Sequence, residues 1–250
     1  LVLGQLKTEE DSNEITAIPK LLGLLELKGC IVTVDAIGCQ QQIANTIQDR
    51  GAEYVFTVKA NQQTLQQEIR WFFQEIELEK DLKEGLIHYH KTVDKDHGRL
   101  EVREYLISDE VDWLKVWIKD WKGVRSIGVV NARRIIGEQE SQETRYYLSS
   151  LPADAELFAK AVRAHWGVEN SVHWVMDMVF REDDSRMRKG NSPMNYAILR
   201  RIALNLVRRD ANSKFSLKAR RKACGWSNDY LERLLFASDQ EVTKDRASAI

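Results

Sequence analysis

Short apolar segments alternate with amphipathic helical segments along the first 73 residues, and this alternation restricts the fold more than any other feature of the sequence. Extended segments are predicted at residues 1–6, 30–34 and 53–58, and helices at 15–25, 40–50 and 61–73. Chains with this alternation form a mainly parallel sheet covered by helices. We therefore expect an α/β fold.

The middle of the chain has a different pattern. Extended segments at residues 87–93, 100–107, 126–134 and 144–149 predict antiparallel strands that interrupt the α/β pattern. Between the second and the third of them, Trp113, Trp117 and Trp121 are spaced four apart. We interpret them as one apolar helical stripe that packs in the core rather than stacking on bases. From residue 153 the pattern is helical.

The segment CIVTVD places an acidic residue at the end of a predicted strand. Its apolar, β-branched residues indicate a strand, and Asp35 follows at the carboxyl end. In open α/β sheets this edge is where binding sites form. A helix cap or turn residue before Gly38 is the alternative interpretation of Asp35, and the sequence does not separate the two.

Four polar residues that can bind a metal recur at intervals of four in RAHWGVENSVHWVMD. They are His165, Glu169, His173 and Asp177. On a helix these residues lie along one side, but successive members drift by about 40° around the axis, so one ion could not bind all four. Glu169 with one neighbour is the realistic ligand set. An amphipathic helix whose histidines make local hydrogen bonds is the alternative.

Asp35 and Glu169 together indicate phosphodiester chemistry. Hydrolysis and transfer of phosphodiesters favour two hard cations held by carboxylates from separate elements, which a strand Asp and a late helical Glu supply. The sequence has no cysteine beside an activating base, no Gly-rich phosphate loop and no HExxH pattern. The three cysteines also lack the spacing of a disulfide framework or a zinc knuckle.

Positive charge is concentrated late in the chain. Residues 181–222 contain 13 Lys or Arg and four acidic residues, a local net charge of +9 in a chain of net charge −1. Such a block is typical of nucleic-acid binding, because phosphate contacts supply much of the affinity, whereas a solvated helical face is the alternative. The apolar runs are too short to span a bilayer, so we expect a cytoplasmic protein without membrane association.

Six segments, in order along the chain, resemble insertion-sequence transposases of the ISAs group, which include the H-repeat-associated proteins. The segments are SNEITAIPKLL from Ser12, IVTVDAIGCQQQIA from Ile31, GAEYVFTVKANQ from Gly51, HGRLEVREY from His97, RYYLSSL from Arg145 and HWGVENSVHWVMDMVFREDDSRMR from His165. The resemblance covers essentially all 250 residues. It implies a ribonuclease-H-like mixed sheet with flanking helices, an inserted antiparallel β region and a helical C-terminal part.

The resemblance also implies a DDE active site, in which two aspartates and one glutamate bind Mg²⁺ or Mn²⁺. Asp35 matches the second acidic position and Glu169 the third, so both are predicted catalytic metal ligands. Groups expected to support these ligands or to contact DNA are His165, Asn170, His173, Asp177, Glu182 and Asp183. The predicted DNA-binding residues are Lys59, His97, Arg99, Arg186, Arg188, Lys189, Arg200, Arg201, Arg208 and Arg209. For His97 the alternative is a β-turn at His97–Gly98.

The sequence departs from the family pattern at three points, one of which is His165, where related transposases more commonly have arginine. The aspartate-glycine-lysine segment that carries the family's first catalytic aspartate is absent, and Asp11 is better explained as a capping residue. The lysine expected seven residues after the glutamate is Met176. If residues 1–6 are the third strand, two strands and one metal ligand are missing. We therefore interpret the chain as an N-terminally truncated or decayed transposase.

These features predict one catalytic domain in three parts. Residues 1–85 form the first part of the ribonuclease-H-like core, 86–151 the inserted β-rich region, and 152–250 the helical part with the catalytic Glu and the basic helices. The resemblance implies DNA transposition by metal-dependent cleavage and strand transfer, on double-stranded DNA, by a homodimer in the bacterial nucleoid. A catalytically inactive DNA-binding remnant and a host nuclease of the same fold are the alternatives.

Overall fold

The described part of the chain divides into two units. A computed structural model describes residues 1–6, 14–96, 98–210 and 213–236. The larger unit falls within Thr8–Trp166, and the smaller unit combines Leu1–Lys7 with Gly167–Ile250. No helix among the described residues is long and apolar enough to span a bilayer.

Six strands of the larger unit form one mixed sheet. They are β1 (Ile31–Val34), β2 (Glu53–Val58), β3 (His88–Asp96), β4 (Arg99–Ser108), β5 (Ser126–Ile136) and β6 (Gln139–Ser149). Their order is β1-β2-β6-β5-β4-β3, with β1 and β2 parallel and all other neighbours antiparallel. The predicted antiparallel strands are confirmed, and they continue the same sheet because β6 pairs with β2.

Helices cover the parallel part of this sheet on both faces. The helices that begin in the larger unit are α1 (Glu14–Gly23), α2 (Gln41–Asp49), α3 (Gln63–Gln74), α4 (Leu78–Glu84), α5 (Lys115–Ile118) and α6 (Ala155–Val168). Ile47 of α2 and Ile69 of α3 share a core with Phe56 of β2. Val55, the residue before Phe56 on β2, lies on the opposite face of the sheet, because successive strand residues point to opposite faces. It packs there with Phe158 of α6. The expected α/β architecture is confirmed and is consistent with a ribonuclease-H-like fold.

Residues 1–6 are not a strand, so that expectation was wrong. The Val2 amide donates to Oδ1 of Asn205 (2.9 Å), and Nδ2 of Asn205 donates to the Val2 carbonyl (2.8 Å). The Val2 side chain packs against the core of the smaller unit. A side-chain amide thus satisfies the backbone groups that strand pairing would have used.

The tryptophan segment is not one continuous helical stripe either. A 3-10 turn precedes α5, and the buried residues are Leu114 and Ile118. Trp113 and Trp121 pack at the edge of this core, as expected, but Trp117 is 40% exposed. The apolar face of this segment is therefore set by Leu114 and Ile118 rather than by the tryptophans.

The smaller unit is helical in its described residues. A π-helix (Glu169–His173) is followed by α7 (Trp174–Met178), α8 (Ser192–Arg209), α9 (Leu217–Trp226) and α10 (Asn228–Phe236). The core of this unit consists of Val175, Met176, Val179, Phe180 and Leu204. Met176, at the position where the resemblance predicts a lysine, is 2% exposed and lies in this core.

Candidate active site

Asp35 lies at the carboxyl end of β1, beside the carboxyl end of β2. The two strands are parallel with Val34 opposite Phe56, so residues that follow both strands emerge at one edge of the sheet. Asp35 precedes the 3-10 turn Ala36–Gly38, but its side chain makes no capping hydrogen bond there. Its side chain is 71% exposed. Asp35 is thus a turn residue through its carbonyl, which accepts from the Gly38 N–H (2.8 Å), but its side chain does not cap the turn and is available to a ligand.

A histidine on α6 contacts the side chain of Thr33 in β1 and that of Asp35, the residue after β1. Nε2 of His165 on α6 lies 3.1 Å from Oδ1 of Asp35, and Nδ1 lies 3.0 Å from Oγ1 of Thr33. Thr33 and Asp35 are two positions apart on an extended chain, so their side chains share one face of the sheet. This is the face that α6 covers, as the contact between Val55 and Phe158 shows. The sequence analysis named His165 and Asp35 but missed Thr33, although the two-residue spacing could have indicated it.

The hydrogen bonding restricts the protonation of the His165 ring. An ionised carboxylate only accepts hydrogen bonds, so Nε2 carries the proton that it donates to Asp35. A neutral ring then accepts from the Thr33 hydroxyl at Nδ1. In the described part of the chain, Oδ2 of Asp35 has no hydrogen-bond or ion-pair partner.

An arginine and a tryptophan lie beside this group. Trp166 follows His165, and the guanidinium of Arg145 on β6 is 3.9 Å from the centre of the Trp166 ring. Nε of Arg145 also donates to Glu143 (2.7 Å). A stacked guanidinium still presents N–H groups at its edge, which suits a phosphate oxygen. Arg145 and Trp166 both lie in the family motifs, but no feature of the sequence selected either as a site residue.

Lys59 follows β2 at the same edge of the sheet as Asp35. It is exposed and makes no ion pair or side-chain hydrogen bond with any described residue. Asn61 donates to the carbonyl of Ala36 (2.6 Å), and Gln62 donates to the carbonyl of Cys39 (3.0 Å). These bonds connect the segment after β2 to the segment after β1 and so fix the local backbone around Asp35.

Glu169 begins the π-helix that follows α6. The structure gives the backbone of Glu169 and Asn170, whereas their side chains lie outside the described set. The predicted stripe assumed a continuous α-helix, but residues 169–173 have π-helical hydrogen bonds that span one residue more. The four-residue spacing that the sequence analysis assumed on an α-helix therefore does not apply between Glu169 and His173, because that segment is π-helical.

The other acidic residues of the predicted set lie in the smaller unit. Glu182 accepts a hydrogen bond from Arg201 (2.9 Å), Asp183 is exposed, and Asp177 is half-buried. Among the described side chains, no three His, Cys, Asp or Glu residues converge to hold a metal ion. Asp35 fits the chemistry of Mg²⁺ or Mn²⁺, because it offers a free carboxylate oxygen at a sheet edge, which is the kind of ligand that these hard cations prefer.

The predicted DNA-binding residues of the smaller unit differ in how their side chains are used. Arg208 donates to the carbonyl of Ser171 in the π-helix, and Arg201 donates to Glu182. Arg200 stacks on Tyr196, with 4.3 Å between the guanidinium carbon and the ring centre. Arg188 donates to the carbonyls of Ser185 and Met187, and Arg209 is half-buried on α8.

Arg186 and Lys189 differ from these residues. Both side chains are exposed, and neither has a partner in the region that the structure covers. Of the two predicted residues in the larger unit, Arg99 contacts Glu101 (3.7 Å). His97 lies outside the described residues, and Gly98 after it has a φ of 75°.

Cys39 is buried near the candidate site. It follows the turn that Asp35 precedes, and burial raises the pKa of its thiol to about 12. A thiol with this pKa is protonated at neutral pH and is a poor nucleophile. This agrees with the absence of a cysteine-histidine pattern in the sequence.

Comparison with known proteins gives consistent matches. The model of the Transposase DDE domain family matches residues 1–206. The chain is 40% identical over 95% of its length to YbfL of Escherichia coli K12, and likewise to a protein of that strain named "H repeat-associated putative transposase YhhI". Its identity to the "putative transposase YncI" of E. coli O157:H7 is 40% over 94% of its length. The matched region spans 63%, 63% and 60% of these three relatives. No solved structure matches the chain.

Proposed function

Because the chain belongs to the family of transposase DDE domains, we propose that it forms the catalytic region of a transposase that cleaves and joins DNA with Mg²⁺ or Mn²⁺. The observation that supports this most directly is Asp35, an exposed carboxylate at the carboxyl end of β1 that a histidine of α6 contacts. The site has an acid where a phosphodiester-transfer enzyme needs a cation ligand.

In this proposal Asp35 and Glu169 are the metal ligands. Bound divalent cations would activate the attacking oxygen and stabilise the leaving oxygen. Water first forms a bond to phosphorus at the element end while the bond from phosphorus to the 3′ oxygen breaks. The freed 3′ hydroxyl then attacks a phosphodiester of the target DNA and releases a target 3′ hydroxyl. Among these 250 residues we propose Asp35 and Glu169 alone as metal ligands.

Double-stranded DNA is the proposed substrate, and its backbone is the proposed ligand of the basic residues. Lys59 at the edge of the sheet and Arg186 and Lys189 in the smaller unit are exposed without internal partners among the described residues. Arg200 is also available through the edge of its stacked guanidinium. Arg201 and Arg208 have internal partners, so we assign them mainly to holding the smaller unit together. We also propose that two copies of the chain form a homodimer on the two element ends.

Metal-dependent nicking of supercoiled DNA tests this proposal. We expect Asp35→Asn and Glu169→Gln to lower the nicking rate with Mg²⁺ or Mn²⁺ by more than about 100-fold, which exceeds the usual effect of losing a supporting group of a metal ligand. Glu156→Gln is the matched control, because Glu156 is an exposed carboxylate on α6 that pairs with Lys160. Circular dichroism would establish equal folded content in all variants.

The pattern of losses distinguishes the alternatives. Nicking that survives in both Asp35→Asn and Glu169→Gln would refute the assigned site. If the unsubstituted chain binds DNA but never nicks it, the catalytically inactive remnant is correct. If it nicks DNA but yields no joined products with a short element-end substrate, the host nuclease is correct.

A further inference from the structure

A single imidazole connects two side chains on one face of β1. His165 sits on α6 one turn after the buried residues Ala161 and Val162, and its side chain is 26% exposed. Its two ring nitrogens lie 3.0 Å from the Thr33 hydroxyl and 3.1 Å from Oδ1 of Asp35. Both nitrogens are therefore engaged by residues from the strand that carries the proposed metal ligand.

We propose that His165 is a positioning residue for Asp35, which it contacts through Nε2, and that the Thr33 hydroxyl holds the ring in place through Nδ1. Because the Asp35 carboxylate accepts from Nε2, that nitrogen carries a proton, and the Thr33 hydroxyl can then donate to Nδ1. This inference rests on the proposed function, in which Asp35 is a metal ligand.

The surroundings of Asp35 explain why such a partner is needed. The side chain is 71% exposed and makes no capping bond with the turn that follows it. An exposed carboxylate without a donor rotates freely, whereas ligand geometry at a catalytic cation depends on a fixed orientation. A donor on Oδ1 alone fixes the group and leaves Oδ2 available. A lysine or arginine at this position would always add a positive charge beside the proposed cation site, whereas an imidazole can donate from Nε2 without carrying one.

Nuclear magnetic resonance can test the tautomer without metal, DNA or activity. The chain labelled with ¹⁵N in its five histidines would be compared with His165→Gln to assign the ring signals. We expect two well-separated ¹⁵N shifts for His165, with the proton on Nε2. In Thr33→Val, which removes the hydroxyl but keeps the shape, we expect the Nδ1 shift to move while the proton stays on Nε2. A proton on Nδ1 alone, or an Nδ1 shift that does not change in Thr33→Val, would overturn the inference.

Two substitutions of His165 test positioning in the reaction. Glutamine places its amide nitrogen near the position of Nε2 and can still donate to Asp35, whereas asparagine reaches only as far as Nδ1. We expect His165→Gln to retain Mn²⁺ affinity and nicking within about threefold, and His165→Asn to lose about 10- to 100-fold in both, as is usual for a supporting partner of a metal ligand. Mn²⁺ affinity would be measured from the electron paramagnetic resonance signal of the free ion, and circular dichroism would confirm folding.

The two proposals can fail separately. If Asp35→Asn leaves Mn²⁺ binding and nicking unchanged, the proposed function fails, while the tautomer measurement still decides the Thr33–His165 relation. If both depend on Asp35 but His165→Gln and His165→Asn match the unsubstituted chain, His165 does not position Asp35. Equal losses in both variants would likewise reject positioning through the Nε2 donor.

Discussion

At the scale of single residues, the packing of Phe158 requires glycine at position 128. Phe158 of α6 makes edge contacts with the rings of Tyr105 and Tyr147, and it lies directly over β5. A Cβ atom at Gly128 would lie 2.6 Å from the Phe158 ring. Glycine usually destabilises the interior of a strand, but here it is the residue that fits, because a side chain would clash with the Phe158 ring.

Gly128→Ala is therefore expected to destabilise the larger unit. Inserting a methyl group into a packed core costs about 1–3 kcal/mol, and urea unfolding followed by circular dichroism would measure the change. Phe158→Leu in the same background should relieve the clash, so the double variant should lose less stability than the sum of the single changes. Additive losses would show that Gly128 and Phe158 do not restrict each other.

The motif RYYLSSL combines a structural part with a part near the site. Ser150 accepts a hydrogen bond from the backbone N–H of Tyr54 (2.7 Å), and Ser149 donates to the Tyr54 carbonyl (3.0 Å). These buried bonds connect the last residue of β6 and the residue after it to Tyr54 of β2. Arg145, at the start of the motif, instead stacks on Trp166 beside His165. Ser149 and Ser150 of this motif thus stabilise the pairing of β6 with β2, whereas Arg145 places a positive charge next to the candidate site.

At the scale of elements, α7 ends in a turn that usually carries glycine. Arg181 has a φ of 55°, its N–H donates to the carbonyl of Asp177, and the Glu182 N–H donates to the carbonyl of Met176. The bond from Arg181 to Asp177 is that of an αL C-cap, in which the left-handed residue costs an L side chain about 1–2 kcal/mol. Arg181 also pairs with Asp184, but both side chains are largely exposed, so this pair adds little stability.

We expect Arg181→Gly to raise the free energy of unfolding by about 0.5–1 kcal/mol, since glycine adopts this conformation without steric cost. Arg181→Ala is the control, because it removes the same ion pair but keeps the strained conformation, and it should be neutral or destabilising. Thermal and urea unfolding would compare the three proteins. A larger loss for glycine than for alanine would contradict the strain argument.

At the scale of the whole molecule, charge is divided unevenly along the chain. Residues 181–222 carry a net charge of +9, whereas the chain as a whole carries −1. The described structure places this block in the smaller unit, on α8, α9 and the segment before them. A basic unit on a nearly neutral chain can attract DNA without raising the net charge of the protein.

The salt dependence of DNA binding tests which residues contact phosphate. Each phosphate contact contributes about 0.9 to the slope of log affinity against log salt concentration. We expect Arg186→Ala and Lys189→Ala each to lower that slope by about 1, with a similar effect on all DNA sequences. Lys160→Ala is the control, since Lys160 lies on α6 and pairs with Glu156. Equal slopes for all four proteins would assign DNA binding to another surface.

Much of the architecture follows from local patterns in the sequence. The strands 53–58 and 126–134, the helices around 41–49 and 192–209, and the antiparallel pairing of the middle segments all follow from hydrophobic periodicity, which short-range sterics and burial impose on any chain. The family also follows from ordered motifs, and the comparisons confirm it. Asp35 could be selected because the carboxyl end of a parallel strand is a recurrent position for functional residues.

Other features depend on contacts between residues far apart in the chain. Residues 1–6 have the pattern of a strand, yet the side chain of Asn205, some 200 positions later, binds the backbone of Val2. The π-helix at Glu169 breaks a four-residue spacing that a sequence must assume to be regular. The hydrogen bonds of His165 to Thr33 and Asp35 cross about 130 positions. The sequence can thus name candidate acids and bases, whereas the packing of α6 on β1 selects which of them meet, because that contact depends on burial across layers and not on local periodicity.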